Sequence, residues 1–168
     1  MHFVQLQNFP LYETTFEGKN ILTEISNKTY KIRSSVPWLI ETLKSATAQN
    51  KKIVLNFHME GGDPQGDNHK NWHMYGGPFY NALEKHGHNV VAIMVGHLHE
   101  RIGQHGEVKL SHRTIPVLWN GSAIYQHYLL ATFEGDSMKI QVVDSSGGEN
   151  YSLGPATHYD ISLPNTGP

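Results

Sequence analysis

Cysteine is absent from the 168-residue chain, which excludes disulfides, cysteine-ligated zinc and a thiol nucleophile together. It does not identify the compartment, because secreted proteins need not carry disulfides. Long apolar runs are also missing. None approaches the roughly 20 residues needed to cross a bilayer, and the opening MHFVQLQNF is not a charged-then-apolar signal peptide. The expectation is a soluble chain without a membrane span. Basic runs are lacking too: 13 Lys+Arg stand against 15 Asp+Glu, for a formal net charge of -2. A partner bound through phosphate-backbone electrostatics, such as a nucleic acid, is therefore not expected. The 38% hydrophobic fraction is ordinary for a globular protein, and the length suits one domain with a sizeable core.

Residues 2–7 (HFVQLQ) alternate apolar and polar and predict a strand, with Phe3, Val4 and Leu6 available for a core. Asn8-Phe9-Pro10 breaks it, and residues 11–33 read as irregular with one short strand near Thr29–Ile32. Ser34-Ser35-Val36-Pro37 opens a helix, with serine as N-cap and proline in the first turn. Leu39, Leu43 and Ala46 follow at helical spacing, with Trp38 flanking that face, and the helix ends near Gln49. Ile53–Phe57 is a buried strand, residues 58–77 are a polar loop, and Pro78–His86 is a second helix stopped by Gly87. Its inward side is Phe79, Ala82 and Leu83. Val90–Val95 is a second buried strand.

Strand, loop, helix, strand is a βαβ unit, which favours parallel pairing. After it come four short strands, Glu107–Leu110, Ile115–Trp119, Tyr128–Glu134 and Met138–Val143, the last two joined by a hairpin at Glu134-Gly135-Asp136-Ser137. The fold class is α/β, a βαβ unit followed by antiparallel strands. Residues 1–144 form the domain, and residues 145–168, rich in Gly, Ser, Asn and Pro, read as an irregular tail.

The chain is rich in histidine, with 12 residues, and three of them occupy informative places. His58 follows the first buried strand, and His97 and His99 follow the second within Gly-His-Leu-His. Ligands bind in the crevice beyond the carboxyl ends of the strands in open α/β sheets, and imidazole is a common ligand for zinc, iron and similar ions. A lone histidine would ordinarily be a polar loop residue. Three at two neighbouring strand tips favour a shared metal site. Gly96 lets the backbone turn close to it.

Nearby acids are Glu60, Asp63, Asp67 and Glu100. Of these, Asp63 has the flexible Gly61-Gly62 beside it and, with Glu60, is the additional ligand to consider; both also fit as solvated loop residues. His69 and His73 lie in the same loop, where a His-x₃-His pair converges only on a helix. Ser122 lacks a base and acid partner set, and Gly61-Gly62 and Gly147-Gly148 lack the lysine of a phosphate-binding loop. Trp38 reads as core and Trp72 as an exposed aromatic.

The segment VVAIMVGHLHERIG resembles the Gly-His-x-His motif that closes the calcineurin-like metallophosphoesterase family. KKIVLNFHMEGGD is similar to that family's lone-histidine motif. HFVQLQNFP resembles the strand preceding the helix in some bacterial members, and IPVLWNGSAIY the strand after the last motif. The resemblance spans residues 2 to about 143 but covers only the carboxyl-terminal half of the family's domain, a partial metallophosphoesterase-like sandwich.

It implies hydrolysis of a phosphoric ester, with His58 and His97 on one divalent transition ion (Mn, Fe or Zn) and His99 on a second. The family's Asp-x-His, Gly-Asp and Gly-Asn-His-Glu motifs belong upstream of Met1, and none is recognisable in this chain. The expectation is therefore a fragment or incomplete form of the enzyme, retaining one ion or none, or else an inactive binding module derived from it. Sheet edges and apolar faces left uncovered by the absent half point to self-association or a partner chain, and a small phosphate ester is the expected ligand.

Overall fold

The computed structural model describes residues 1–6, 10–11, 13–19, 27–58 and 77–163. Four strands form its parallel centre. In spatial order these are β1 (His2–Gln5), β4 (Ile53–Phe57), β5 (Val90–Val95) and β7 (Thr114–Ser122). Each is paired in parallel to the next, and β6 (Ile102–Lys109) lies antiparallel on β7. β4, the helix α2 (Pro78–His86) and β5 make up the expected βαβ unit. The end of β7 then pairs with β8 (His127–Glu134), β8 with β9 (Ser137–Asp144), and both partnerships are antiparallel. A separate hairpin is formed by β2 (Thr14–Lys19) and β3 (Asn27–Ile32), where the sequence suggested a single short strand.

The central sheet is buried on both faces, which explains the near-continuous apolar runs of β4 and β5. On one face Leu39 and Leu43 of the helix α1 (Val36–Ala48), with Phe79 and Leu83 of α2, pack on Ile53, Leu55, Phe57, Ile93, Val95, Val117 and Trp119. On the other, Met138 and Ile140 of β9 cover Val54, Val91, Ala92 and Leu118. Burying one such side chain contributes about 1.5–3 kcal/mol. The buried residues of α1 are Val36, Leu39, Leu43 and Ala46, matching the helical spacing of the sequence.

Several expectations change in detail. Trp38, read as core, is 54% exposed on the outer side of α1, and Phe3 is 62% exposed while Val4 and Leu6 are buried. Phe3 instead meets Phe133 edge-on, with ring centroids 5.8 Å apart. Ser35 occupies the N-cap position of α1 without a side-chain cap bond. Ser34 Oγ accepts from Val36 N at 3.3 Å, and both serine hydroxyls donate to the Pro10 carbonyl. Gly87 ends α2 for steric reasons rather than by a left-handed backbone, since a Cβ there would lie 2.5 Å from the Leu83 carbonyl oxygen.

The tail differs most. Residues 145–168 were expected to be irregular, yet β10 (Ser152–Leu153) and β11 (Thr157–Asp160) both pair antiparallel with β9. Just beyond them Ile161 is fully buried in the second cluster. The unpaired edge of β9 and one apolar side chain outweigh the turn-rich composition. Trp72 lies outside the described residues. No helix among those described is long and apolar enough to cross a membrane.

The start of β5 is tied down by side chains. Asn89, 2% exposed, donates from Nδ2 to the Lys51 carbonyl at 3.1 Å, while its own carbonyl accepts from Ile53 N at 2.8 Å. Beside it His88 and His112 stack with centroids 4.1 Å apart, and Arg113 Nη1 donates to the His88 carbonyl at 3.1 Å. The His112 ring donates to the Gly87 carbonyl, and its buried Nε2 has no partner among the described residues.

Burial therefore holds the His112 imidazole below its usual range. His88 and, to a smaller extent, Arg113 push it the same way, against upward pulls from Glu84 and Gly87. The unfolded chain takes up this proton first, so stability is complete above the ordinary histidine value of about 6.5 and falls as pH drops below it. Urea denaturation at neutral and mildly acidic pH should show this loss. His112→Asn, which keeps a donor for Gly87 but cannot titrate, should lose less over the same interval; equal losses would show that His112 is not the source.

Candidate metal centre

The three histidines sit where β4 and β5 end. Phe57 is level with Val95, and Val95 with Trp119, so three apolar side chains close the helix-side core in one row beneath the tips. The next residues are His58 and Gly96. A backbone bond from Gly96 N to the His58 carbonyl, 2.9 Å, extends the pairing one step beyond the strands. A Cβ on residue 96 would sit 3.3 Å from His58 Nδ1 and 3.5 Å from the His58 carbonyl oxygen. Glycine suits this close approach, since a side chain there would have to displace the imidazole by a few tenths of an ångström.

Beyond Gly96 the chain alternates. Leu98 is half-buried against the helix-side core, while His97 and His99 on either side of it are exposed. Leu98 thus anchors the turn and leaves both histidines outward. His97 has φ = 75°, a left-handed conformation that costs a residue with a Cβ about 1–2 kcal/mol. Such strain persists where the surroundings over-determine it, and it clusters at functional sites.

The structure brings His58 and His97 together. Their rings meet edge-on, with centroids 5.4 Å apart and planes at 79°. Two imidazoles bound to one zinc-like ion through bonds of about 2.0–2.1 Å, at a tetrahedral angle, place their centroids about 5 Å apart. The observed centroid separation is of that size. His99 and Glu100 are exposed at the same tip. Among the described residues no three His, Asp or Glu side chains form a group able to hold a metal. Glu60, Asp63, Asp67, His69 and His73 lie outside the described residues.

Nothing in the sequence singles out Arg101, yet it belongs to this end of the sheet. Its guanidinium lies over the Trp119 ring, 5.4 Å from the centroid, and its backbone N donates to the Leu98 carbonyl at 3.0 Å. The only sequence signal is a cation two residues after His99, which is too common to be informative without the position of Trp119.

Comparison with known proteins finds a likeness of fold. No family model matches the chain, and no curated protein matches it. Among solved structures, a dimetal phosphatase from Danio rerio superposes with a TM-score of 0.50 at 15% identity, over 76% of this chain. The chain spans 37% of that phosphatase. A Staphylococcus aureus protein designated a 5'-nucleotidase superposes with a TM-score of 0.34 at 16% identity, over 82% of this chain and 24% of the other. That looser superposition supports no inference.

The strain at His97 gives a measurable signature. Glycine relieves a left-handed conformation and alanine does not, so His97→Gly should be more stable than His97→Ala by about 1 kcal/mol. Denaturant midpoints of the two variants check this, and equal stabilities would remove the case for strain.

Proposed function

We propose that this chain is a metal-dependent phosphoric ester hydrolase in fragmentary or incomplete form, carrying part of that enzyme's metal site. The observation that carries this reading is the edge-on pair of His58 and His97 at level strand tips, with His97 held at positive φ. The likeness of fold to a dimetal phosphatase supports it. In this reading His58 and His97 share one divalent ion, Mn, Fe or Zn, His99 turns toward a second, and Asp63 or Glu60 is the nearest source of a carboxylate. A bound dication would polarise a phosphoryl oxygen and stabilise charge on the esterified phosphate. The ligand class is a small phosphate ester.

A second reading is a binding module of the same descent without turnover. It is favoured by the described residues bringing two imidazoles together without a third ligand. Two dications about 3.5–4 Å apart need a bridging carboxylate to offset their repulsion, and the described residues place none between the histidines.

Metal analysis of the purified protein and of His97→Ala tests the site. Transition metal should accompany the wild type and fall in the variant; wild-type content no higher than the variant's would sink the proposal. With metal present, hydrolysis of a phosphodiester in Mn²⁺ above the His97→Ala level supports the enzyme, and no difference leaves the binding module.

This reading also has a second copy or another chain covering exposed apolar side chains such as Phe3, Tyr128 and Leu130. Light scattering should therefore report a species heavier than the 18.9 kDa chain. A compact monomer would count against that part.

A further inference from the structure

Arg101 is a cation held in place beside the histidine tips, with no carboxylate paired to it among the described residues. Its backbone is held from both sides. Its backbone N is bonded to the Leu98 carbonyl, Leu98 itself is packed against the core, and the next residue, Ile102, starts β6 opposite Asn120. The aromatic face beneath it belongs to Trp119, which is 1% exposed. Trp119 is level with Val95, one residue before Gly96 and two before His97.

Stacking engages the face of a guanidinium and leaves its N–H edge, a planar fork matched to carboxylate and phosphate oxygens, available. A cation satisfied by a surface ion pair would have to be stripped of its partner before it met an anion. Among the described residues the Arg101 guanidinium meets only this aromatic face, which orients it without neutralising it.

We propose that Arg101 is the anion-binding residue of this site, its guanidinium braced on Trp119 to take a phosphoryl oxygen of the ester. The assignment rests on the phosphate-ester reading above and adds the residue that recognises the anion independently of any ion held by the histidines. The planar fork, rather than charge alone, sets the affinity.

Phenyl phosphate titrated calorimetrically into wild type, Arg101→Gln and Arg101→Lys, once with Mn²⁺ and once with EDTA, tests this. Loss of a charge-assisted hydrogen bond should weaken binding to Arg101→Gln about tenfold. Arg101→Lys should fall between the two, and metal content and thermal midpoint should stay at wild-type values. If wild type binds no metal, the metal reading fails while the EDTA titration still judges Arg101: binding lost in Arg101→Gln upholds the assignment. Equal affinity in wild type and Arg101→Gln, or no binding by wild type in either titration, overturns it. A fall in metal content matching the fall in affinity would make Arg101 a brace for the turn and overturn it as well.

Discussion

The level at which β4 and β5 end is the constraint on which the site depends. Side chains alternate across a strand, so a one-residue slip in pairing exchanges every side chain between faces. Phe57 opposite Val95 is the register that lets both point into the helix-side core and sends His58 and Gly96 out together. Any other register would have to repack both layers, because β4 and β5 place fitted side chains in each. The far end is fixed separately, by Asn89 bridging the end of α1 and the start of β4. The histidine pair is thus set by the core and by a buried amide at the opposite end of the strands.

β7 connects the two layers. Its middle pairs with β5, and its end, at Gly121 and Ser122, pairs with β8. The antiparallel sheet that follows folds over the face of the parallel strands that the helices leave open. A side-chain ion pair between Lys52 and Asp136 joins the two layers near the base of β4, and Lys52 also donates to the Gly135 carbonyl at 2.6 Å. Such exposed contacts contribute little individually; the apolar seam of Met138, Ile140 and Ile161 is what holds the layers together. The tail completes that seam through Ile161.

Much of this was legible in the sequence because burial leaves a periodic trace. Leu39, Leu43 and Ala46 mark the inner side of α1, and the β-branched runs of β4 and β5 mark strands buried on both faces. Trp38 failed as a core residue because aromatic character does not say which side of a helix it occupies. Phe3 failed because alternation in β1 left two possible inner sides, and Val4 with Leu6 won. The tail was misjudged since Gly, Ser and Asn report local turn preference, while the free edge of β9 is a tertiary fact. At the site, the three histidines could be placed at strand tips from their order alone. The edge-on contact of His58 and His97, the left-handed backbone of His97 and the seat of Arg101 over Trp119 arise between segments far apart in the chain, where spacing carries no signal.

One detail of β5 bears on what lengths the strands can have. Five residues of β4 run beside six of β5, because the register shifts between Ile53 and Val54 and Val91 and Ala92 both turn to the second sheet. A regular pairing begun at Ile53 and Val90 would carry the β5 tip about 3.3 Å further out, with Val95 level with His58. The additional residue is therefore slack in register, although its side chain is buried in the second cluster. Removing Val91 would straighten β5 and still deliver Gly96 beside His58, whereas β4 holds no spare residue and any shortening there draws His58 back into the core. The two arms of the site differ in their tolerance of length: one strand is buffered and the other is not.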